Sequence, residues 1–190
     1  MILIVDCGSQ KTPFIEDSIN ELGDYLTIPL MELNIDSIES CQGIIFSGAP
    51  LLITEINMEI YLSKFQWIKE LTIPILGICF GHQLVGMLFG AYPSRMREDR
   101  DWQEIEKLID DEILDKLPTS FSMMEDHCES ISIPPGFDLL ATSDACVNEM
   151  MRHQKKLIYG VQFHPEVSGN SGMILIQNFH TICQTHKKAQ

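Results

Sequence analysis

Three short runs in this chain are apolar throughout rather than at alternate positions: "MILIV" at residues 1–5, "GIIF" at 43–46 and "PILGI" at 74–78. A strand with one wet face alternates apolar and polar side chains. Runs without that alternation belong to strands covered on both faces, as in parallel sheets flanked by helices. Segments with helical spacing lie between and after them. "TPFIEDSINELG" reads as a helix closed by Gly23, and "INMEIYLSKFQWIKEL" places Ile56, Ile60, Phe65, Ile68 and Leu71 on one face. Leu84, Val85, Leu88 and Phe89 form the apolar stripe of the segment after the third run, with Gly90 as its stop. "YLTIPL" reads as a further strand.

After about residue 100 the pattern turns to short β-like runs, "FSMME", "ESISI", "FDLLATS", "VNEMMRH" and "LIYGVQF", before a terminal helix in "SGMILIQNFHTICQTHKK". The expected fold is α/β: an open, mostly parallel sheet with helices on both faces and a small antiparallel β extension. With no repeat and no linker, residues 1–190 are expected to form a single domain.

Charge and cysteine usage narrow the partners. Thirteen basic against 27 acidic residues give a net charge of −14, which argues against nucleic acid and anionic membranes. Asp6 interrupts the opening apolar run too early for a signal peptide, and no run approaches the ~20 residues of a membrane span. The cysteines at 7, 41, 79, 128, 146 and 183 contain no C-x-x-C pair and no zinc-like Cys/His spacing. Free thiols in a reducing, cytoplasmic compartment are expected, with no metal and no cofactor in this chain. In "SMMEDHCESI" a single histidine between acids reads as a loop face rather than a metal site.

The chemistry concentrates at "PILGICFGHQLVGMLFGA", residues 74–91, where a strand runs without pause through Cys79 into a helix. Glycines two positions before and two after the thiol suit a strained strand-to-helix turn that lifts a nucleophile above a sheet. Ligands of open α/β sheets bind at such strand ends. The unpaired first amides of the helix favour a thiolate, and the amide of Phe80 is placed to stabilise an oxyanion. "YGVQFHPEV", residues 159–167, supplies the partners: His164 as base and Glu166 to orient it. Cys7, Cys41, Cys146 and Cys183, with His153, His180 and His186, read as packing or solvated residues.

"GICFGHQ" together with "FHPE" resembles the class I (triad) glutamine amidotransferases, over essentially the whole chain. The resemblance implies that Cys79 attacks the side-chain amide of L-glutamine, that His164 shuttles the proton and that Glu166 orients His164. It also implies that Gln83 contacts the substrate. The second oxyanion donor falls in "FSGAP", on the amide of Ala49 beside Gly48, where the family usually has a second glycine. An alanine there costs steric energy if the position needs positive φ. Within the family the strongest likeness is to the glutaminase portion of GMP synthetases, through "VDCGSQKTPFIEDSINELG", with Cys7 in place of a phenylalanine. "MEDHCESI" then puts Asp126, Cys128 and Glu129 on the glutamine pocket, the latter two partly through backbone. "VSGNSG", residues 167–172, departs from the family's usual His-Thr and by itself reads as a solvated turn.

No Ser-Gly-Gly-x-Asp-Ser phosphate loop and no Walker motif occur, so no ATP-pyrophosphatase domain is expected in this chain. The implied partner is a separate synthetase subunit carrying ATP and Mg²⁺. The alternatives are the glutaminase of anthranilate or aminodeoxychorismate synthesis, and a γ-glutamyl hydrolase-like cysteine hydrolase.

Overall fold

In a computed structural model the chain order is β1 (Ile2–Asp6), α1 (Thr12–Asn20), β2 (Tyr25–Pro29), β3 (Gly43–Phe46), α2 (Glu59–Phe65), β4 (Ile75–Ile78), α3 (Phe80–Leu88) and β5 (Pro93–Asp99). There follow β6 (Trp102–Lys107), β7 (Ser120–Met124), β8 (His127–Ile131), β9 (Phe137–Thr142), β10 (Met150–His153), β11 (Ile158–Val161) and α4 (Gly169–Ala189). The structure describes the backbone of residues 1–189 and the side chains of residues 1–186.

The three unbroken apolar runs are β1, β3 and β4, and they stand side by side in a nine-stranded sheet of order β2-β1-β3-β4-β11-β10-β9-β6-β7. The first five strands are parallel, and β10, β9, β6 and β7 continue the sheet antiparallel. A separate antiparallel pair joins β5 to β8. The expected open, mostly parallel sheet with an antiparallel extension is therefore present.

Both faces of the parallel half are covered, which explains the absence of alternation. Ile2 and Ile4 of β1 join a core layer with Ile15 and Ile19 of α1 and Leu175, Ile176 and Phe179 of α4. Leu3 and Val5 point the other way, into a layer with Phe65 of α2 and Phe80 and Leu84 of α3. Among the described residues no helix is long and apolar enough to cross a membrane.

Three local differences from the sequence expectation have physical causes. The helix expected across residues 56–71 is α-helical only over Glu59–Phe65 and tightens into a 3₁₀ turn at Gln66–Glu70. That turn buries Phe65 and Ile68, three residues apart, in the same layer. Strands β5 and β6 carry charge at about half of their positions, "PSRMRED" and "WQEIEK", and so lack the hydrophobic signal that marks the others. "VSGNSG" is not a solvated turn. Ser168 is buried, Gly169 at φ +60 opens α4, and Gly172 packs against Pro165 so closely that a Cβ would meet its carbonyl oxygen at 1.9 Å.

The glycines around Cys79 are needed for close approach. A Cβ on Gly77 would lie 2.5 Å from the Gly81 oxygen, and a Cβ on Gly81 would lie 2.5 Å from the Phe46 oxygen. Strand β4, the first turn of α3 and the end of β3 thus meet backbone to backbone. Gly81→Ala must push these elements apart, and it is expected to cost about 1–3 kcal/mol of stability. Urea unfolding at unchanged m-value checks this; a midpoint equal to that of the parent would show that the contact yields freely.

Candidate active site

Four strand ends converge above the parallel sheet: β1 leads to Gly8, β3 to Gly48, β4 to Cys79 and β11 to His164. The cavity there has a volume of about 610 Å³, and its lining includes Cys79, His164, Gln83, Ala49, Asp126 and Glu129. This is where open α/β sheets hold ligands.

Cys79 has φ 51 and ψ −106, and it shares positive φ with only one other non-glycine among the described residues, Lys116. An L-residue held there stores local strain, which the surrounding backbone contacts enforce. The Cys79 amide donates to the Val161 carbonyl (2.8 Å) and its carbonyl accepts from the Gln83 amide (3.0 Å). The residue therefore ends the β4 ladder and begins α3 at once. The first amides of α3, from Phe80 onward, have no carbonyl one turn back within the helix.

His164 faces this thiol. A Cβ built on Gly48 would sit 3.2 Å from His164 Cε1 and 3.5 Å from Cys79 Cβ, so Gly48, Cys79 and His164 share one small space. His164 Nδ1 lies 2.8 Å from Glu166 Oε1, and both side chains are almost wholly buried. Burial alone would lower the imidazole pKa. Hydrogen bonding and charge from Cys79, then from Glu166, outweigh it and push the pKa up to about 10. The three residues expected to act together are in contact.

Ser168 was not legible as part of this site. Its hydroxyl donates to the His164 carbonyl (2.6 Å) and accepts from the Met124 amide (2.9 Å). The His164 amide in turn donates to the Met124 carbonyl (2.9 Å). The backbone of the histidine is thus clamped to the end of β7.

The remaining expected residues divide by what their side chains do. Ala49 lines the cavity and is not at positive φ, so the anticipated steric cost of alanine does not arise. Gln83 lines it too, with its amide nitrogen committed to the Glu129 carbonyl and to Gln162 Oε1, each at 3.1 Å. Asp126 is held by Lys11 (2.5 Å) and Arg100 (3.2 Å) at the pocket rim. Burial raises its pKa, but Lys11, then His164 and Arg100, outweigh this and leave it lowered. Cys128 is half-buried on the wall.

Glu129 also lines the cavity. Its buried carboxylate accepts from the amides of Ile53 (2.5 Å) and Thr54 (3.2 Å) and from the Thr54 hydroxyl, and so fastens the loop that carries Ala49. Lys11 and Arg100 escaped the sequence reading because isolated cations in "GSQKT" and "REDR" carry no periodic or motif signal. His127 is not on a loop face: it lies in β8, 7% exposed, and it is among the residues that line the cavity. His82, read only as part of "GHQ", is fully buried against Gly160, and burial lowers its pKa to about 3.

Residues 3–182 match the family model described as glutamine amidotransferase class-I. The chain is 38% identical over 188 residues to the glutamine-hydrolyzing GMP synthase subunit of Pyrococcus furiosus, covering 96% of this chain and 98% of that one. It is 35% identical over 192 residues to the subunit of the same name from Methanocaldococcus jannaschii, covering 96% and 97%. The crystal structure of a putative GMP synthase subunit from Thermoplasma acidophilum superposes with a TM-score of 0.91 at 29% identity, covering 100% of this chain and 96% of that one. A glutamine amidotransferase from Thermotoga maritima shares the fold, with a TM-score of 0.76 at 21% identity and coverage of 100% and 86%.

Burial pushes the thiol pKa up at Cys7, Cys41, Cys146 and Cys183. Iodoacetamide is therefore expected to label Cys79 ahead of these four, and His164→Gln to slow that labelling by about tenfold or more. Peptide mapping of the alkylated thiols checks it; labelling of Cys183 as fast as Cys79 would contradict it. The raised pKa of His164 carries a second expectation. The folded protein holds this proton more tightly than the unfolded chain, whose imidazole has an ordinary pKa near 6.5. The resulting stabilisation is complete below pH about 6.5 and is lost as pH rises toward about 10. Urea unfolding across that range should show the advantage over His164→Gln shrinking with pH, whereas a constant difference would mean that the imidazole carries no extra proton.

Proposed function

The chain belongs to the class I glutamine amidotransferases, and from that premise we propose that it is the glutaminase subunit of a two-chain GMP synthase. The observation that carries the chemistry is the strained Cys79 at the β4–α3 junction with the Glu166-held imidazole of His164 against it. The pathway rests on the near full-length relatives named as glutamine-hydrolyzing GMP synthase subunits.

The geometry supports the following course of reaction. The Cys79 thiolate attacks the carboxamide carbon of glutamine, and the electron pair of the C=O bond moves onto oxygen. The amides of Phe80 and Ala49 are assigned to that oxyanion, the first at the start of α3 and the second on the loop fastened by Glu129. His164, carrying the proton, gives it to the departing nitrogen as the C–N bond breaks, and ammonia leaves a γ-glutamyl thioester. Water then attacks the thioester, His164 takes its proton, and glutamate departs as the thiolate is restored. Glu166 keeps the ring oriented and stabilises its charged form.

The pocket suits a zwitterionic amino acid. Asp126 presents negative charge beside the cations of Lys11 and Arg100, while Ala49, Gln83, Cys128 and Glu129 line the surrounding wall and Gly48 lies against Cys79 and His164. Ammonia passes to the partner synthetase, which binds ATP and Mg²⁺ and converts XMP to GMP. Six free cysteines suit the reducing cytoplasm, where we place the pair.

Cys79→Ser is expected to abolish glutamine-dependent GMP formation by the reconstituted pair while leaving ammonia-dependent formation intact. Steady-state assays with each nitrogen source check this. Glutamine-dependent turnover retained in the variant would remove Cys79 as nucleophile, and failure of both chains to form GMP from ammonia would remove the pathway.

A further inference from the structure

Between the pocket wall and the antiparallel arm lies a cluster that the glutaminase chemistry does not use. Glu125 sits between β7 and β8, His127 begins β8, and Glu149 immediately precedes β10. One ligand atom from each comes within 4.8 Å of the other two, and the residues are 1%, 7% and 0% exposed. Two carboxyl groups have been brought out of water beside an imidazole, an arrangement that destabilises the fold unless something compensates.

Their own hydrogen bonds do not compensate. Glu125 and Glu149 can hydrogen-bond each other only if one of them keeps a proton; no other group among the described residues donates to Glu125 or to Glu149 Oε2, and His127 Nε2 is likewise unpartnered. His127 Nε2 approaches Glu125 Oε2 to 3.1 Å without the alignment of a hydrogen bond. That separation is an ordinary one for two ligands on the same ion. The far side of each ligand is already fixed. His127 Nδ1 is 2.9 Å from the Glu129 carbonyl, which selects the tautomer leaving the Nε2 lone pair directed at the carboxylates. Glu149 Oε1 accepts from the Ser143 hydroxyl at 2.6 Å, which leaves Oε2 facing inward. Such outer partners are what metal-ligating histidines and carboxylates carry.

We propose that Glu125, His127 and Glu149 bind one divalent transition-metal ion, which fastens the glutamine-pocket wall to the antiparallel arm of the sheet. A dication neutralises the two carboxylates where water cannot reach them. One nitrogen and two oxygen donors, with no thiolate among them, suit zinc, cobalt, iron or manganese rather than calcium or copper(I). Asp99, buried and paired across β5–β8 with His127, has an unpartnered Oδ2 and could supply a further oxygen donor. The role is structural: the Glu149 carbonyl accepts from the Gln162 amide (2.8 Å), and the residue after Glu125 is the pocket's Asp126, so the ion would join segments on either side of His164.

The test uses the full chain carrying Cys79→Ser, so that the candidate nucleophile does not capture the probe, stripped with chelator and titrated with Co²⁺. Expected are a single retained Co²⁺ by elemental analysis, visible bands of nitrogen and oxygen ligation without a thiolate charge-transfer band, and a raised unfolding midpoint. Glu149→Gln and His127→Gln should each weaken binding at least about tenfold, and Ser143→Ala by about 10–100-fold. Far-UV circular dichroism of the metal-free variants establishes that they fold; Glu149→Gln removes a buried charge and is the variant that best retains the fold. No retained cobalt, a thiolate band, or equal retention in folded Glu149→Gln would overturn the site and leave the carboxyl pair closed by protons. None of these readouts depends on glutamine turnover.

Discussion

The structure turns on a contact made with no side chains at all. Gly77 and Gly81 let the end of β4, the first turn of α3 and the Phe46 carbonyl of β3 press together at distances that exclude a Cβ. With those three backbone segments locked, Cys79 has nowhere to sit except in a conformation L-residues avoid. The strain at the thiol is maintained by packing beneath it. Nothing in the cysteine itself would hold it there.

The histidine is fixed by similar means. His164 is set by its neighbours on three sides: Glu166 on the ring, Ser168 on the carbonyl and Met124 on the amide. The imidazole needs a fixed position more than a fixed charge, because it must first give a proton and then take one. Hydrogen bonds to its backbone supply that position without altering the ring. The antiparallel arm, through the end of β7, therefore takes part in a site built mainly at parallel strand ends.

What the residues revealed in advance follows the strength of the local signal. The parallel half was legible because β1 up to Val5, β3 and β4 run apolar without alternation, the pattern of a doubly covered strand. Cys79 was legible because a thiol between two glycines at a strand-to-helix junction has few structural uses. Strands β5 and β6 were hidden, since about half of their residues are charged and their pairing depends on partners distant in sequence. Lys11 and Arg100 were hidden for the same reason: they meet Asp126 only once the chain has folded. His127 was misplaced because burial of a histidine between two acids is decided by the tertiary environment, and the isolated segment carries no sign of it.

Glu129 ends as the most connected of the pocket residues. Its carboxylate grips Ile53 and Thr54, and its carbonyl receives Gln83 and stands against His127. One residue thereby makes a single rigid body out of the loop over the thiol, the helix behind it and the strand along its side. A push at any of the three reaches the other two, so the cradle for the substrate can tighten or slacken only as a whole.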